Sequence, residues 1–288
     1  MLTKTKPSWL DKKISLKDCG RMKNLLRGLA LNTVCEEAAC PNMSECFAKG
    51  IATFMILGSK CTRGCKFCNV EKGEPSFLDV SEPQRISEAV KRLRLSHVVV
   101  TSVTRDDLKD GGAGHFADTI KSIRRENSKT RIEVLIPDFN ADEIAISEVV
   151  NAGPDIVNHN VETVPRLYAE VRPEADYRRS LEVLRIAKDI ARCKIYIKSG
   201  IMLGLGEKTE EVLEVLRDLR DVGCDLLSIG QYLAPSKSHY PVKDYIEPEL
   251  FRYYKEKAEE CGFRFTASAP YVRSSYQADE YINTGNRL

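Results

Sequence analysis

Cys61-Thr62-Arg63-Gly64-Cys65-Lys66-Phe67-Cys68 sets three cysteines at the spacing C-x3-C-x2-C, directly after a short apolar run at 53–57. A structural zinc site closes its tetrahedron with four ligands, usually from paired C-x2-C units well apart in sequence. Cys65 and Cys68 alone make such a pair; the triplet does not. Three thiolates suit a [4Fe–4S] cubane instead, because four would occupy every iron and three leave one iron open to another ligand. A second triplet stands upstream, where Cys35, Cys40 and Cys46 read C-x4-C-x5-C. Six of the ten cysteines therefore fall between Cys35 and Cys68. In a secreted mini-protein that density would mean disulfides, but a chain of 288 residues can bury a full core without them. Metal ligation is the better reading. Cys19, Cys193, Cys224 and Cys261 lie outside both triplets and read as small, mostly buried hydrophobes.

Working outward, the chain alternates apolar runs with amphipathic stretches from about residue 51. Strand-like runs stand at 53–57, 97–103, 132–137, 155–161, 194–203 and 225–233. Between them, Ser81-Glu82-Pro83-Gln84 has the form of a capping box, and Asn140-Ala141-Asp142-Glu143 offers a similar cap. Val212, Leu213, Val215, Leu216, Leu219 and Val222 form one helical face. Pro248 fits the first turn of a last helix ending near Cys261-Gly262. Six β-α units make either an open doubly wound sheet or a barrel, and the pattern alone does not separate them. Residues 1–50 and the tail after 263 do not join the repeat, so the expected organisation is an amino-terminal extension (1–50), a main domain (51–262) and a carboxyl tail (263–288).

The motif 61–68, set after the first strand of a β-α series, resembles the radical S-adenosylmethionine (SAM) signature, including the aromatic Phe67 before the last cysteine. The resemblance implies an α/β fold, a partial (β/α)6 TIM-like barrel of the radical SAM type with both extensions. It also implies a [4Fe–4S] cluster on Cys61, Cys65 and Cys68 whose open iron chelates SAM, with a 5′-deoxyadenosyl radical as the product of its cleavage. The upstream triplet resembles that of the lipoyl synthase family, which carries an auxiliary [4Fe–4S] cluster completed by a serine in an Arg-Ser-Ser-Tyr motif. Here Arg273-Ser274-Ser275-Tyr276 matches, with Ser275 at the ligand position beside Cys35, Cys40 and Cys46. The family inserts two sulfur atoms, taken from the auxiliary cluster, at C6 and C8 of a protein-bound octanoyl chain. An alkoxide is a harder and more labile iron ligand than a thiolate, which suits a cluster that is dismantled. An unactivated C–H bond has no acidic proton, so acid–base side chains cannot open it. The four histidines (97, 115, 159 and 239) show no H-E-x-x-H spacing and read as structural.

Ligands bind at the carboxyl ends of parallel strands, so the segments after each run are the candidates for SAM contacts. By the same resemblance, Thr101, Arg105 and Asp106, with Asp107, address the methionyl end or cap the next helix; Asn158, Asn160 and Glu162 suit the ribose; Lys198 precedes, and Gly204 lies within, the adenine segment Gly200-Ile201-Met202-Leu203-Gly204-Leu205-Gly206-Glu207. Gln231 to Ser236 line the cavity. Trp9 and Lys12-Lys13 read as an exposed arm.

Forty-four Lys+Arg against 42 Asp+Glu leave a charge of +2, too balanced for nucleic-acid wrapping, and no apolar run reaches the ~18–20 residues that span a bilayer. Met1 to Lys13 carries Asp11 and no apolar run, so neither a secretory signal nor a transit peptide is expected and the cytoplasm is the expected location. The implied partners are an octanoylated lipoyl carrier domain, on a 2-oxoacid dehydrogenase acyltransferase subunit or a glycine cleavage H protein, and an electron donor such as ferredoxin or flavodoxin. Two rivals remain at this point: another radical SAM sulfur-transfer enzyme, and a non-catalytic metal-binding protein.

Overall fold

The computed structural model describes residues 6–11, 19–37, 40, 42–48, 52–192 and 194–274. Its main sheet has eight strands in chain order: β1 (Asn32–Thr33), β2 (Thr53–Ile56), β3 (His97–Ser102), β4 (Arg131–Leu135), β5 (Ile156–Asn158), β6 (Tyr196–Leu203), β7 (Leu226–Gln231) and β8 (Phe265–Ser268). β2 to β8 run parallel, and β1 caps the β2 edge antiparallel. All six expected runs are strands, one per β-α unit. They were readable because parallel strands are covered on both faces and so consist of nearly continuous apolar residues. β1 and β8 do not pair with each other, so the barrel is partial.

Helices α1 (Glu82–Leu93), α2 (Ala113–Glu126), α3 (Glu143–Asn151), α4 (Tyr177–Ala191), α5 (Thr209–Asp221) and α6 (Pro248–Glu260) alternate with the strands. Val212, Val215, Leu216 and Leu219 of α5 are all fully buried, each contributing about 1.5–3 kcal/mol of apolar burial. The strand side chains on the helix-facing surface join this large core. The opposite surface has its own small floor of Val99, Ile156 and Leu226, backed by Tyr196, Phe265 and Ala267. Strand register stacks Glu133, Asn158 and Lys198 beside that floor and Gly200, Met202, Ser228 and Gly230 toward the carboxyl ends.

Three local expectations change. β8 adds a parallel strand beyond the six, contributed by the segment expected to stay outside the repeat; its four residues are mostly half-buried and carry little apolar signal. Ser81 does not cap α1 through its side chain, because its hydroxyl donates to Asp79 at 2.6 Å. The cap of α3 is Asp142, which accepts from the Ile144 amide at 2.9 Å, while Asn140 sits in a left-handed turn. Pro248 and Gly262 bound α6 as expected. Of the expected arm, Trp9 is half-buried beside the fully buried Leu10, whose carbonyl accepts the Tyr271 hydroxyl, while Lys12 and Lys13 lie outside the described residues.

Candidate active site

The loop carrying Cys61, Cys65 and Cys68 leaves the carboxyl end of β2 and is tied to the ends of its neighbours. The Thr62 amide donates to Thr104 at 3.0 Å, Lys66 to Val171 at 2.9 Å, and Tyr240 to Lys66 at 2.8 Å. Arg63, inside the motif, anchors the loop from below. Its guanidinium grips Asp106 at 2.8 and 2.7 Å and Asp138 at 2.8 and 2.9 Å. Burial alone would raise the Asp138 carboxyl, but the Arg63 hydrogen bonds outweigh it and hold the group at about 2.

Backbone donors meet one of the thiols, while burial keeps the other two protonated. The Cys61 Sγ faces the amides of Thr104 at 3.3 Å and Arg63 at 3.5 Å. Burial pushes the Cys68 thiol up to about 12, with Cys65 and Cys61 adding to the rise. Cys65 is raised by burial too, against the pull of the Arg172 guanidinium. Such thiols stay protonated until a cation displaces the proton. Among the described residues no three His, Cys, Asp or Glu side chains converge at the spacing of a single ion. Thiols beside amide donors at a strand-end loop fit an iron–sulfur cluster.

Around this loop the strand ends supply polar groups. Glu162 adopts φ +66°, a costly region for a side-chain-bearing residue, and its Oε1 accepts the Asn160 amide at 3.1 Å. Burial raises its carboxyl, and its charge is felt at both Cys65 and Cys68. Asn160 Oδ1 is buried and without a hydrogen-bond partner, an acceptor available to a bound hydroxyl. His159 is buried, donates from Nδ1 to the Ile136 carbonyl at 2.9 Å, and is lowered by burial to about 4, so it is neutral. Gly204 has φ +97°, and a Cβ there would lie 2.3 Å from Gln231 Nε2.

Other expected contacts are occupied within the chain. Thr101 Oγ1 donates to the Leu135 carbonyl at 2.8 Å. Arg105 is buried, bonded to the Leu57 carbonyl at 3.0 Å and to both oxygens of Asp107. Asp106 serves Arg63. Asn158 donates to Glu133 at 3.2 Å, and Lys198 pairs with Glu133 deep in the barrel. Arg63, Asp138 and Arg172 were not singled out from sequence; only the place of Arg63 between two cysteines hinted at its role.

The second triplet lies in the extension. Cys35 is buried, and burial followed by the closeness of Cys40 and Cys46 pushes its thiol up to about 12. The carboxyl tail returns to it: Asn42, between Cys40 and Cys46, donates to the Tyr271 carbonyl at 2.7 Å. Arg273 has no carboxylate partner among the described residues, and burial lowers its pKa while the Cys40 charge opposes that fall. A half-buried cation beside crowded thiols fits an anionic thiolate cluster. Ser275 lies outside the described residues, as does Cys193. Cys224 is fully buried, with its thiol pushed by burial to about 12, as expected for a packing cysteine.

The family model of the radical SAM superfamily matches residues 55–219. Among solved structures, S-adenosylmethionine-bound SuiB of Streptococcus suis superposes with a TM-score of 0.58 at 15% identity, covering 86% of this chain and 59% of its own. Methylornithine synthase superposes at 0.56 with 14% identity, covering 89% and 86%. These likenesses speak to the fold. Two lipoyl synthases are far closer in sequence: that of Caldicellulosiruptor saccharolyticus is 58% identical over 97% of this chain and 98% of its own, and that of Caldanaerobacter subterraneus 57% identical over 96% and 97%. With two thiol triplets on a partial parallel barrel and this degree of identity end to end, the chain belongs to the lipoyl synthase family of the radical SAM superfamily.

Proposed function

We propose that the chain is a radical SAM sulfurtransferase that converts a protein-bound octanoyl group to the lipoyl group, with Cys61, Cys65 and Cys68 holding one [4Fe–4S] cluster and Cys35, Cys40, Cys46 and Ser275 holding the other. The observation that carries this reading is the pair of thiol triplets in one chain, one at the barrel mouth and one in the extension met by the returning tail. When bound, the first cluster with SAM supplies a carbon radical able to take hydrogen from an unactivated C–H bond, and the second supplies sulfide. The residues of the chain do the rest. Arg63 holds the first cysteine loop against Asp106 and Asp138, and the Thr104 and Arg63 amides stabilise negative charge on the Cys61 sulfur. Asn160 and Glu162 offer the ribose a rim of acceptors beside Cys65. His159 stays neutral and adds no charge next to that rim.

The division into an extension (1–50), a barrel (51–262) and a tail (263–288) follows these roles, with β8 as the part of the tail that completes the sheet. The octanoyl group arrives on a lipoyl carrier domain, of an acyltransferase subunit or an H protein, and a ferredoxin or flavodoxin supplies electrons. No nucleic acid or membrane is part of this reading, and among the described residues no helix is long and apolar enough to cross a membrane. We place the reaction in the cytoplasm.

Iron and acid-labile sulfide content of the anaerobically reconstituted chain is the test. About eight irons per chain are expected, falling to about four when Cys35, Cys40 and Cys46 are all replaced by Ala. Four irons in the parent chain, or zinc in place of iron, would overturn the two-cluster reading. Ser275→Cys separates a structural site from a sacrificial one: a cluster retained with sulfur insertion lost supports the serine as ligand, and full turnover refutes it.

A further inference from the structure

The interior of the barrel holds a charged pair that packing alone does not call for. Lys198, on β6, and Glu133, on β4, are both fully buried, with Nζ 2.8 Å from Oε1. Asn158 donates to the same oxygen at 3.2 Å, and His97 Nε2 stands 3.4 Å from the other. Burying an ion pair forfeits its solvation, and apolar residues of similar volume commonly serve a core as well or better. The adjoining floor of Val99, Ile156 and Leu226 has that apolar packing. What the pair adds is a fixed charged donor, and its direction is visible. The Lys198 ammonium also donates to the carbonyl of Ser274, and Asn160 Nδ2 donates to the Ser274 hydroxyl at 2.6 Å.

The tail is brought within reach by a missing side chain. A Cβ on Gly230 would lie 2.1 Å from the Val272 carbonyl oxygen, so only glycine lets the tail cross β7 at this height. On the tail's other side, Asn42 holds the Tyr271 carbonyl. Residues 271–274 therefore touch the barrel interior and the segment between Cys40 and Cys46 at once.

We propose that Lys198 is a positioning residue for the second thiol triplet: with Asn160 it fixes the carbonyl and hydroxyl of Ser274, the residue through which the tail held at Asn42 continues into the proposed ligand Ser275. This rests on the reading of Ser275 as the fourth ligand, and it assigns Lys198 to the tail instead of to SAM. Glu133 sets an opposite charge beside the amine in an apolar setting, and a charged donor grips a carbonyl more firmly than a neutral one.

The test uses full-length Lys198→Met/Glu133→Gln, which removes both buried charges together, alongside Ser274→Ala and Ser275→Ala. In the metal-free chain, amide hydrogen exchange over 269–274 should quicken by about tenfold or more, while β3 to β6 keep their protection. After reconstitution in a Cys61→Ala/Cys65→Ala/Cys68→Ala background, the Mössbauer spectrum of the remaining cluster should move toward that of Ser275→Ala, a change that loss of stability alone does not produce. With the first triplet intact, SAM affinity by equilibrium dialysis should stay within about twofold of the parent. Parent-like exchange and spectrum, or weakened SAM binding with a protected tail, would overturn the assignment. A Ser275→Ala spectrum identical to the parent's would refute the serine ligand; the exchange data would then show separately whether Lys198 anchors the tail.

Discussion

Replacing Arg63 by Met should show how firmly the first cysteine loop is held. The guanidinium side chain is 8% exposed and makes four short contacts to two carboxylates. The carboxylates are unequal. Asp106 is 36% exposed, where a pair is worth about 0–1 kcal/mol, whereas Asp138 is 1% exposed and would lose its main partner inside the protein. Breaking one side of a buried pair costs about 3–5 kcal/mol. Arg179, 2.9 Å from Asp138, retains part of the compensation, so the low end, ~3 kcal/mol, is expected. The same contacts imply a pH dependence. Asp138 is held at about 2 against its ordinary 3.8, which at ~1.4 kcal/mol per pH unit is about 2–3 kcal/mol. Because the folded-state value is the lower one, this stability is present above pH ~4 and disappears as the pH falls toward 2. Urea unfolding of the metal-free chain at pH 7 and at steps from pH 5 to 2 should therefore show Arg63→Met less stable at pH 7 and flatter between pH 4 and 2 than the parent. Asp106→Asn should cost about 1 kcal/mol or less. A loss below ~1 kcal/mol in Arg63→Met, or an unchanged pH slope, would refute the anchor.

Three further outcomes follow from single contacts. Gly204→Ala combines φ +97° with a Cβ 2.4 Å from the Asp244 carbonyl, and should cost about 2–3 kcal/mol in denaturant unfolding; a neutral change would mean that the loop relaxes freely. His159, lowered by burial to about 4 from 6.5, should show no NMR titration of its ring between pH 8 and 5. Since the unfolded chain takes up this proton first, stability should fall as the pH drops from 6.5 toward 4, by about 3 kcal/mol, and His159→Gln should lessen that fall. Gly230→Ala should displace residues 270–274 and expose them to limited proteolysis; an undisturbed tail would contradict the close crossing of Val272 over β7.

What could be read from the sequence was what is local along the chain. The runs that became β2 to β7 announce themselves because each is buried on both faces, whereas Phe265–Ser268 is half-covered and carries no such pattern. The capping form at Ser81 failed for an equally local reason, since Asp79, two residues before it, captures the hydroxyl. The cysteine triplets were legible because each lies within one short segment, so its spacing stands in the sequence itself. The groups that support those thiols come from elsewhere. Arg63 meets Asp106 and Asp138 at separations of 43 and 75 residues, and Asn160 meets Ser274 across 114. No short pattern can encode such pairs, because it is the parallel barrel that brings distant strand ends to one rim. Lys198 shows how the two directions of reading part. Read along the chain, it precedes a glycine-rich strand end and suits a cofactor contact; read in register, it lies opposite Asn158 and Leu226, next to the apolar floor, with Glu133 for its charge and the tail for its donor. A residue's place along a parallel strand decides whether it serves the mouth or the interior. Counting back from the carboxyl end of β6 at Leu203, Gly204 stands just beyond the mouth, while Lys198 lies at the level where the returning tail can be held.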